Sequence, residues 1–155
     1  MILDSLCTLS DAQDIHAGSC ASTYSYDCGT RHNYDDAWNP HTGNQNVGNG
    51  RPVKVSFTLN DIVGVGADNP TLQVAIQQST DNATWTNLIQ SAVLSLSTLT
   101  SMGAGTAYQF DMSLPEGPIE EYLQAYYTIG GTAGGFTSIH ATAAIVLDEQ
   151  TNGVW

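Results

Sequence analysis

The sequence predicts an all-β, single-domain protein of about eight antiparallel strands, arranged as a jelly roll or β-sandwich. Three observations lead to this fold class. Apolar and polar residues alternate in several runs, and this period of two is typical of strands that bury one face. Turn-forming residues separate the runs, and no segment has the period of an amphipathic helix. The length of 155 residues fits one domain.

The clearest strands lie in the C-terminal third, where a Gly-Gly turn and a Gly-Gly bend separate two long runs. One face of the first run is formed by Leu123, Ala125, Tyr127 and Ile129. One face of the second run is formed by Ile139, Ala141, Ala143, Ile145 and Leu147. Such long alternation predicts two half-buried antiparallel strands.

Earlier strands are predicted from the same alternation, which is strongest at residues 53–59, 72–77, 85–89 and 108–112. Residues 79–82 have the composition of a tight turn between two of these strands. Residues 91–100 form a further strand candidate, and residues 23–28 form a short one. These segments bring the total to about eight strands.

Residues 1–20 are predicted to form an extended N-terminal arm, and residues 21–155 the jelly-roll domain. The alternative for the arm is a short helix that Ser10 caps and in which Gln13 closes a capping box. Within the domain, residues 29–50 are rich in Asn, Gly, Asp and His and are predicted to be a long loop. A loop of that length in a compact domain is usually functional or disordered.

The charge of the chain is strongly one-sided. Fifteen acidic residues outnumber the three basic residues, Arg31, Arg51 and Lys54, and the net charge is −12. Such a field repels phosphate, so we expect neither nucleic acid nor an anionic membrane surface as a partner. The acidity either serves solubility or complements a basic partner. Charged residues make up only 12% of the chain, and neutral polar residues suit surfaces that pack against other proteins.

The cysteines and the N-terminus indicate a reducing compartment. Cys7, Cys20 and Cys28 are odd in number and match no metal-binding spacing. We expect them to be small buried hydrophobic residues, with a Cys20–Cys28 bridge as the alternative. The chain begins with no basic segment followed by an apolar one, so we expect no signal peptide and synthesis in the cytoplasm.

No catalytic motif is found, and we therefore predict no enzymatic activity, metal or cofactor. The four histidines, His16, His32, His41 and His140, are far apart in sequence and form no metal-binding pair at short spacing. No G-x-S-x-G nucleophile motif occurs. A jelly-roll enzyme would require the fold to bring at least two histidines together with a carboxylate.

Four stretches carry a resemblance to a known family. They are L-S-D-A-Q at residues 9–13, S-T-x-x-x-D-C-G at residues 22–29, N-V-G-N-G-R-P at residues 46–52, and the closing strand pair at residues 122–131 and 144–148. In these stretches the chain resembles the capsid cement (decoration) proteins of tailed bacteriophages, the family typified by the Bordetella phage cement protein. Cys28 stands where that family usually has Leu, and Glu120, Glu121 and Gln124 stand where basic residues are expected.

The resemblance implies a jelly-roll protein of the virion, made in the bacterial host cytoplasm and bound to the outer surface of the mature capsid. There it would clamp neighbouring major capsid protein subunits against the pressure of the packaged genome. The implied partners are the major capsid protein and a second copy of the chain. A homodimer is favoured and a homotrimer is the alternative. No cofactor is implied.

We expect the arm and the long loop to make the contacts with the capsid or with a second copy. The candidate contact residues are Ile2, Leu3, Leu6, Arg31, Tyr34 and Trp38. The alternative is that these side chains pack against their own domain. A different function, carbohydrate binding by a β-sandwich on the virion surface, is also open, since Trp38, Tyr122 and Tyr126 would stack on sugars if they are exposed.

Overall fold

The structure is a computed structural model that describes residues 7–28, 53–64, 69–101, 106–115, 119–131 and 135–146. These residues form ten strands and one short helix. In chain order they are β1 (Thr8–Asp14), β2 (Cys20–Ala21), β3 (Tyr26–Asp27), β4 (Lys54–Gly64), β5 (Thr71–Ser79), β6 (Thr86–Gln90), β7 (Leu94–Ser95), α1 (Leu96–Leu99), β8 (Tyr108–Ser113), β9 (Tyr122–Gly130) and β10 (Phe136–Val146).

The strands form two antiparallel sheets. The four-stranded sheet has the order β1-β10-β4-β8, and the six-stranded sheet has the order β2-β9-β5-β6. In the second sheet β3 continues along the same edge of β9 as β2, and β7 continues along the same edge of β5 as β6.

When each interrupted pair is counted as one strand, eight positions remain, in the orders 1-8-3-6 and 2-7-4-5. This is the strand order of a jelly roll, in which two Greek keys are folded together. The predicted all-β fold of about eight antiparallel strands is confirmed.

The core lies between the inner faces of the two sheets. Phe57 in β4 and Tyr127 in β9 meet edge to face across the core, with ring centroids 6.5 Å apart and planes at 89°. On the other side of Phe57, the ring of Phe110 in β8 stacks on it at 5.0 Å. These rings connect the middle of the six-stranded sheet to the edge of the four-stranded one. The inward positions predicted for the last two strands are confirmed as far as Ile145, and Leu147 lies outside the described residues.

A buried polar chain joins the two sheets where β1 approaches β2. Ser10 donates a hydrogen bond to Oε1 of Gln13 at 2.9 Å, and the Tyr127 hydroxyl lies 2.9 Å from the Ser10 hydroxyl. Burial raises the pKa of Tyr127, so its phenol stays protonated and donates to Ser10. Gln13 also accepts from the Thr23 backbone N–H at 2.9 Å and donates to the Ala21 carbonyl at 2.8 Å.

The described part of the predicted arm is an extended strand of the sheet. β1 pairs with β10, and both Leu9 within the strand and Ile15 just after it are buried. The helix alternative is wrong. Gln13 does meet Ser10, but the contact forms in a strand that bulges at Ala12, whose φ of 44° is in the left-handed region. Residues 1–6 lie outside the described residues.

Two of the weaker strand predictions need correction. In the segment 23–28 the strand is limited to Tyr26–Asp27. In the segment 91–100 the strand is limited to Leu94–Ser95, and α1 follows it. The helix forms because Ser95 acts as its N-cap: its hydroxyl accepts the Thr98 backbone N–H at 3.2 Å. The turn directs Leu99 into the core, where it is buried.

The turn between β5 and β6 is organised by one carboxylate. Asp81 accepts hydrogen bonds from the backbone N–H groups of Ala83 and Thr84 at 2.9 and 2.7 Å. The hydroxyls of Ser79 and Thr84 also donate to it, at 2.8 and 3.1 Å. The two backbone donors lower the pKa of Asp81 well below its usual range. The turn predicted at residues 79–82 is confirmed.

Because the pKa of Asp81 is lower in the folded chain than in the unfolded one, this group stabilises the fold above pH about 4 and ceases to do so as the pH falls below it. We therefore predict that Asp81→Asn, which does not titrate, reduces the fall in Tm between pH 5 and pH 2. Calorimetry across that range measures it, with the exposed Asp111→Asn as a charge-matched control. An unchanged pH dependence in Asp81→Asn would contradict this role.

Removing the Tyr127 hydroxyl should weaken the junction of the two sheets. We predict that Tyr127→Phe lowers the free energy of unfolding by about 1–2 kcal/mol, because Ser10 loses a buried partner. The neighbouring Tyr126→Phe, on the outer face, should cost less than about 0.5 kcal/mol. Urea denaturation of both variants makes the comparison, and equal losses would show that the buried contact adds no stability.

Candidate functional site: an uncharged sheet face

The two sheets differ sharply in charge. In the strands of the six-stranded sheet the sole charged residue is Asp27, in β3. Its two central strands, β5 and β9, contain none. The strands of the four-stranded sheet carry Asp11, Asp14, Lys54, Asp61 and Asp111. In a chain with a net charge of −12, one whole sheet surface is therefore almost neutral.

We call the outward-facing side chains of the six-stranded sheet, apart from Tyr122 and Asp27 at the start of β9, the neutral face. They alternate with the buried residues of β5 and β9 that point into the core. The neutral face is formed by Ala21, Thr71, Gln73, Ala75, Gln77, Asn87, Gln124, Tyr126 and Thr128. It presents amides, hydroxyls and one tyrosine.

Three amides on neighbouring strands form a ladder across this face. Gln124 in β9 donates to the side-chain carbonyl of Gln77 in β5 at 2.8 Å. Gln77 in turn donates to the side-chain carbonyl of Asn87 in β6 at 2.9 Å. Each amide has a second donor hydrogen and further acceptor capacity. The ladder thus holds three amide groups in fixed positions, of which Asn87 is exposed, Gln77 is half-buried and Gln124 is only 8% exposed.

Tyr126 is flanked by small residues on both neighbouring strands. It lies opposite Ala75 on β5 and opposite Ala21 on β2. Ala75 points outward yet is only 3% exposed. Tyr126 and Tyr122 are both half-buried. Only part of each ring is therefore available for stacking on a sugar.

An acidic end, formed by Asp27, Glu120 and Glu121, borders the neutral face where β9 begins. Asp27 lies opposite Tyr122 in the pairing of β3 with β9. The Tyr122 hydroxyl bonds to the Glu121 carboxylate, which raises the pKa of Tyr122, and the nearby Asp27 raises it further. The Glu120 backbone N–H donates to Gln78 at 3.2 Å and ties this end to β5.

Two histidine–aspartate pairs lie at one end of the four-stranded sheet. Nδ1 of His16 is 2.5 Å from Asp14, and Nδ1 of His140 is 3.5 Å from Asp61. Asp14 lies opposite His140 in the pairing of β1 with β10. The hydrogen bond from His16 lowers the pKa of Asp14. The described residues include no group of three or more His, Cys, Asp or Glu that could hold a metal ion, and His32 and His41 lie outside them.

His140 occupies a bulged part of β10. The register of β10 against β4 shifts twice between Phe136 and His140. Phe136 is buried, whereas Ser138 and His140 are half-buried. The three residues would share one face of a regular strand, but Phe136 faces the core because a bulge breaks the period of two.

A cavity of about 280 Å³ lies beside α1 and is lined by Asn69, Pro70, Thr71, Ser95, Leu96, Ser97 and Thr100. Two of its hydroxyls are engaged within the helix. Ser95 accepts from the Thr98 backbone N–H, and Thr100 donates to the Leu96 carbonyl at 2.8 Å. These hydroxyls serve the local fold, so the cavity is a weaker candidate for a binding site than the neutral face.

Comparison with known proteins connects this architecture to a phage family. The model of the Bbp16 family matches residues 9–143, which is most of the chain. The chain belongs to the Bbp16 family. This is a family of Bordetella phage proteins, and membership indicates a virion-associated structural protein of a phage. No curated protein matches the chain. None of the described helices is long and apolar enough to cross a membrane.

The contact residues predicted for this Bbp16-family chain lie outside the described residues. They are Ile2, Leu3, Leu6, Arg31, Tyr34 and Trp38, and they remain predictions. The neutral face was missed from the sequence, although a signal for it existed. Neither of the segments 71–79 and 122–130 contains a charged residue, but only the pairing of β5 with β9 shows that they form one surface.

The three cysteines are free thiols, and each is half-buried. The alternative of a Cys20–Cys28 bridge is therefore wrong. Burial raises the pKa of both Cys20 and Cys28. For Cys28 the negative charges of Asp27 and Glu121 add to the effect, and its pKa rises to about 11.

The raised pKa predicts a slow-reacting thiol. At pH 8 the thiolate fraction of Cys28 should be roughly 200-fold below that of an ordinary cysteine, because an ordinary thiol titrates near pH 8.5. Alkylation of the variant Cys7→Ser/Cys20→Ser, followed by mass spectrometry, isolates Cys28. We expect the rate to rise steeply between pH 8 and pH 10 and to reach that of a free thiol in denaturant. Fast alkylation of the folded chain at pH 8 would contradict the assignment.

Proposed function

We propose that this chain is a capsid cement protein. It binds the outside of the mature icosahedral shell and clamps neighbouring major capsid protein subunits against the pressure of the packaged genome. The observation that carries this proposal is the match of a phage structural family over most of a chain that folds as a jelly roll. The role is structural rather than catalytic.

The physical demands on such a clamp agree with the fold. A clamp across a subunit seam adds buried interface where the shell would otherwise open. Many equivalent copies on one shell multiply a modest individual effect. Ring packing and a buried hydrogen bond hold the two sheets of the sandwich together, as a clamp under load requires. None of these demands requires a cofactor.

The proposed partners are the major capsid protein and a second copy of the chain. A homodimer on two-fold positions of the shell is favoured, and a homotrimer on three-fold positions is the alternative. Mutual repulsion between chains of net charge −12 makes any such contact depend on where the acids are placed.

A second candidate function, glycan binding at the virion surface, is favoured by one observation. The amide ladder and Tyr126 lie together on one flat sheet, and amides and aromatic rings are the groups that bind neutral sugars. Because Tyr126 is half-buried, less of its ring is available for stacking.

Co-sedimentation with shells tests the cement proposal. We predict saturable binding of the purified chain to expanded shells of its own phage and little binding to unexpanded procapsids. Decorated shells should also release their contents at a higher temperature than bare shells. The variants His16→Gln and His140→Gln should bind like the wild type.

Absence of binding to expanded shells would overturn the cement proposal. If the same sample bound a neutral glycan on an array, the second candidate would replace it.

A further inference from the structure

We propose that the neutral face is the surface that docks onto the shell. Its partner would be a patch of the major capsid protein that is rich in amides and hydroxyls and bordered by Lys or Arg. This inference rests on the cement function proposed above, and it assigns the docking to one sheet.

The distribution of charge favours the neutral face over the outer surface of the four-stranded sheet as the docking surface. Interface cores are depleted in charged residues, because taking a charge out of water is costly even when the charge is paired. Docking through the neutral face buries no carboxylate of its two central strands. Docking through the four-stranded sheet would cover Lys54 and Asp111 on its outer surface.

The size of the face suits a stable contact. β5 and β9 each span nine residues, which is about 30 Å of strand, and four strand positions cover about 19 Å across. The resulting patch of roughly 600 Å² approaches the ~800 Å² that each partner contributes to a standard interface.

The polar groups of the face are already fixed. Gln124, Gln77 and Asn87 hold one another through hydrogen bonds of 2.8 and 2.9 Å. Side chains that are ordered before docking lose less entropy when they bind. The face therefore offers preorganised amides at Gln77 and Asn87, and the buried Gln124 holds them in place from below.

The negative charge of the acidic end favours the shell over a second copy as the partner that occupies the neutral face. Asp27, Glu120 and Glu121 border the neutral face, and basic residues on the partner would complement their negative charge. The whole chain has three basic residues, and Lys54 is on the other sheet. A second copy brings the same net charge of −12 to this border and is repelled by it, whereas a different protein with Lys or Arg around a neutral patch complements it.

A matched pair of substitutions tests the assignment. Thr128→Glu places a carboxylate on an exposed position of β9, opposite Gln73. Thr58→Glu places the same group on the outer face of β4, in the middle of the other sheet. Asn87→Asp is a second probe of the neutral face that keeps the oxygen that accepts from Gln77. Circular dichroism and Tm confirm folding, and light scattering gives the oligomeric state of each variant.

We expect Thr128→Glu and Asn87→Asp to weaken binding to expanded shells at least tenfold, and Thr58→Glu to stay within twofold of the wild type. Binding of the wild type should also weaken as NaCl rises from 50 to 500 mM, since the acidic end pairs with basic residues of the shell.

The other possible outcomes distinguish a failure of the docking assignment from a failure of the cement proposal. If wild type and Thr128→Glu bind shells equally, the docking assignment is overturned while the cement function stands. If the wild type binds no shell, both fall. If Thr128→Glu turns a wild-type dimer into a monomer, the face is a self-interface and the shell is the wrong occupant. If it abolishes binding to a neutral glycan instead, the occupant is a sugar.

Discussion

The structure depends on one contact region, where Tyr127 joins the two sheets. Its ring packs against Phe57 of the opposite sheet, and its hydroxyl bonds to Ser10 of β1. Through Gln13 the same chain of hydrogen bonds fixes the segment that follows β2. Tyr127 thus contacts both β4 and β1 of the four-stranded sheet from the six-stranded one.

With Tyr127 inward, the neighbouring residues of β9 must point outward, because side chains alternate along a strand. Gln124, Tyr126 and Thr128 thereby lie on the outer side of the sheet beside the amides of β5 and β6. Thr128 is exposed there, Tyr126 is half-buried and Gln124 is only 8% exposed. The acids of the other sheet lie on the far side of the sandwich. The jelly roll thus separates a neutral surface from a charged one, and a single strand links the core to the proposed docking face.

Sequence alone predicted the inner faces of β4, β5, β9 and β10, because their alternation is long and regular. It failed where a local side-chain bond overrides alternation. Ser95 caps a helical turn inside a predicted strand, and bulges in β10 bury Phe136 while His140 stays half-buried. The neutral face also escaped prediction. Its residues come from segments about fifty positions apart in sequence, and only strand order shows that they are neighbours.

A cryo-EM reconstruction of expanded shells decorated with the wild-type chain would show directly which sheet docks onto the shell. We predict that the six-stranded sheet lies against the major capsid protein, with Gln77 and Thr128 within contact distance of it and with Thr58 facing solvent. A reconstruction in which the four-stranded sheet meets the shell and the amide ladder faces solvent would contradict it.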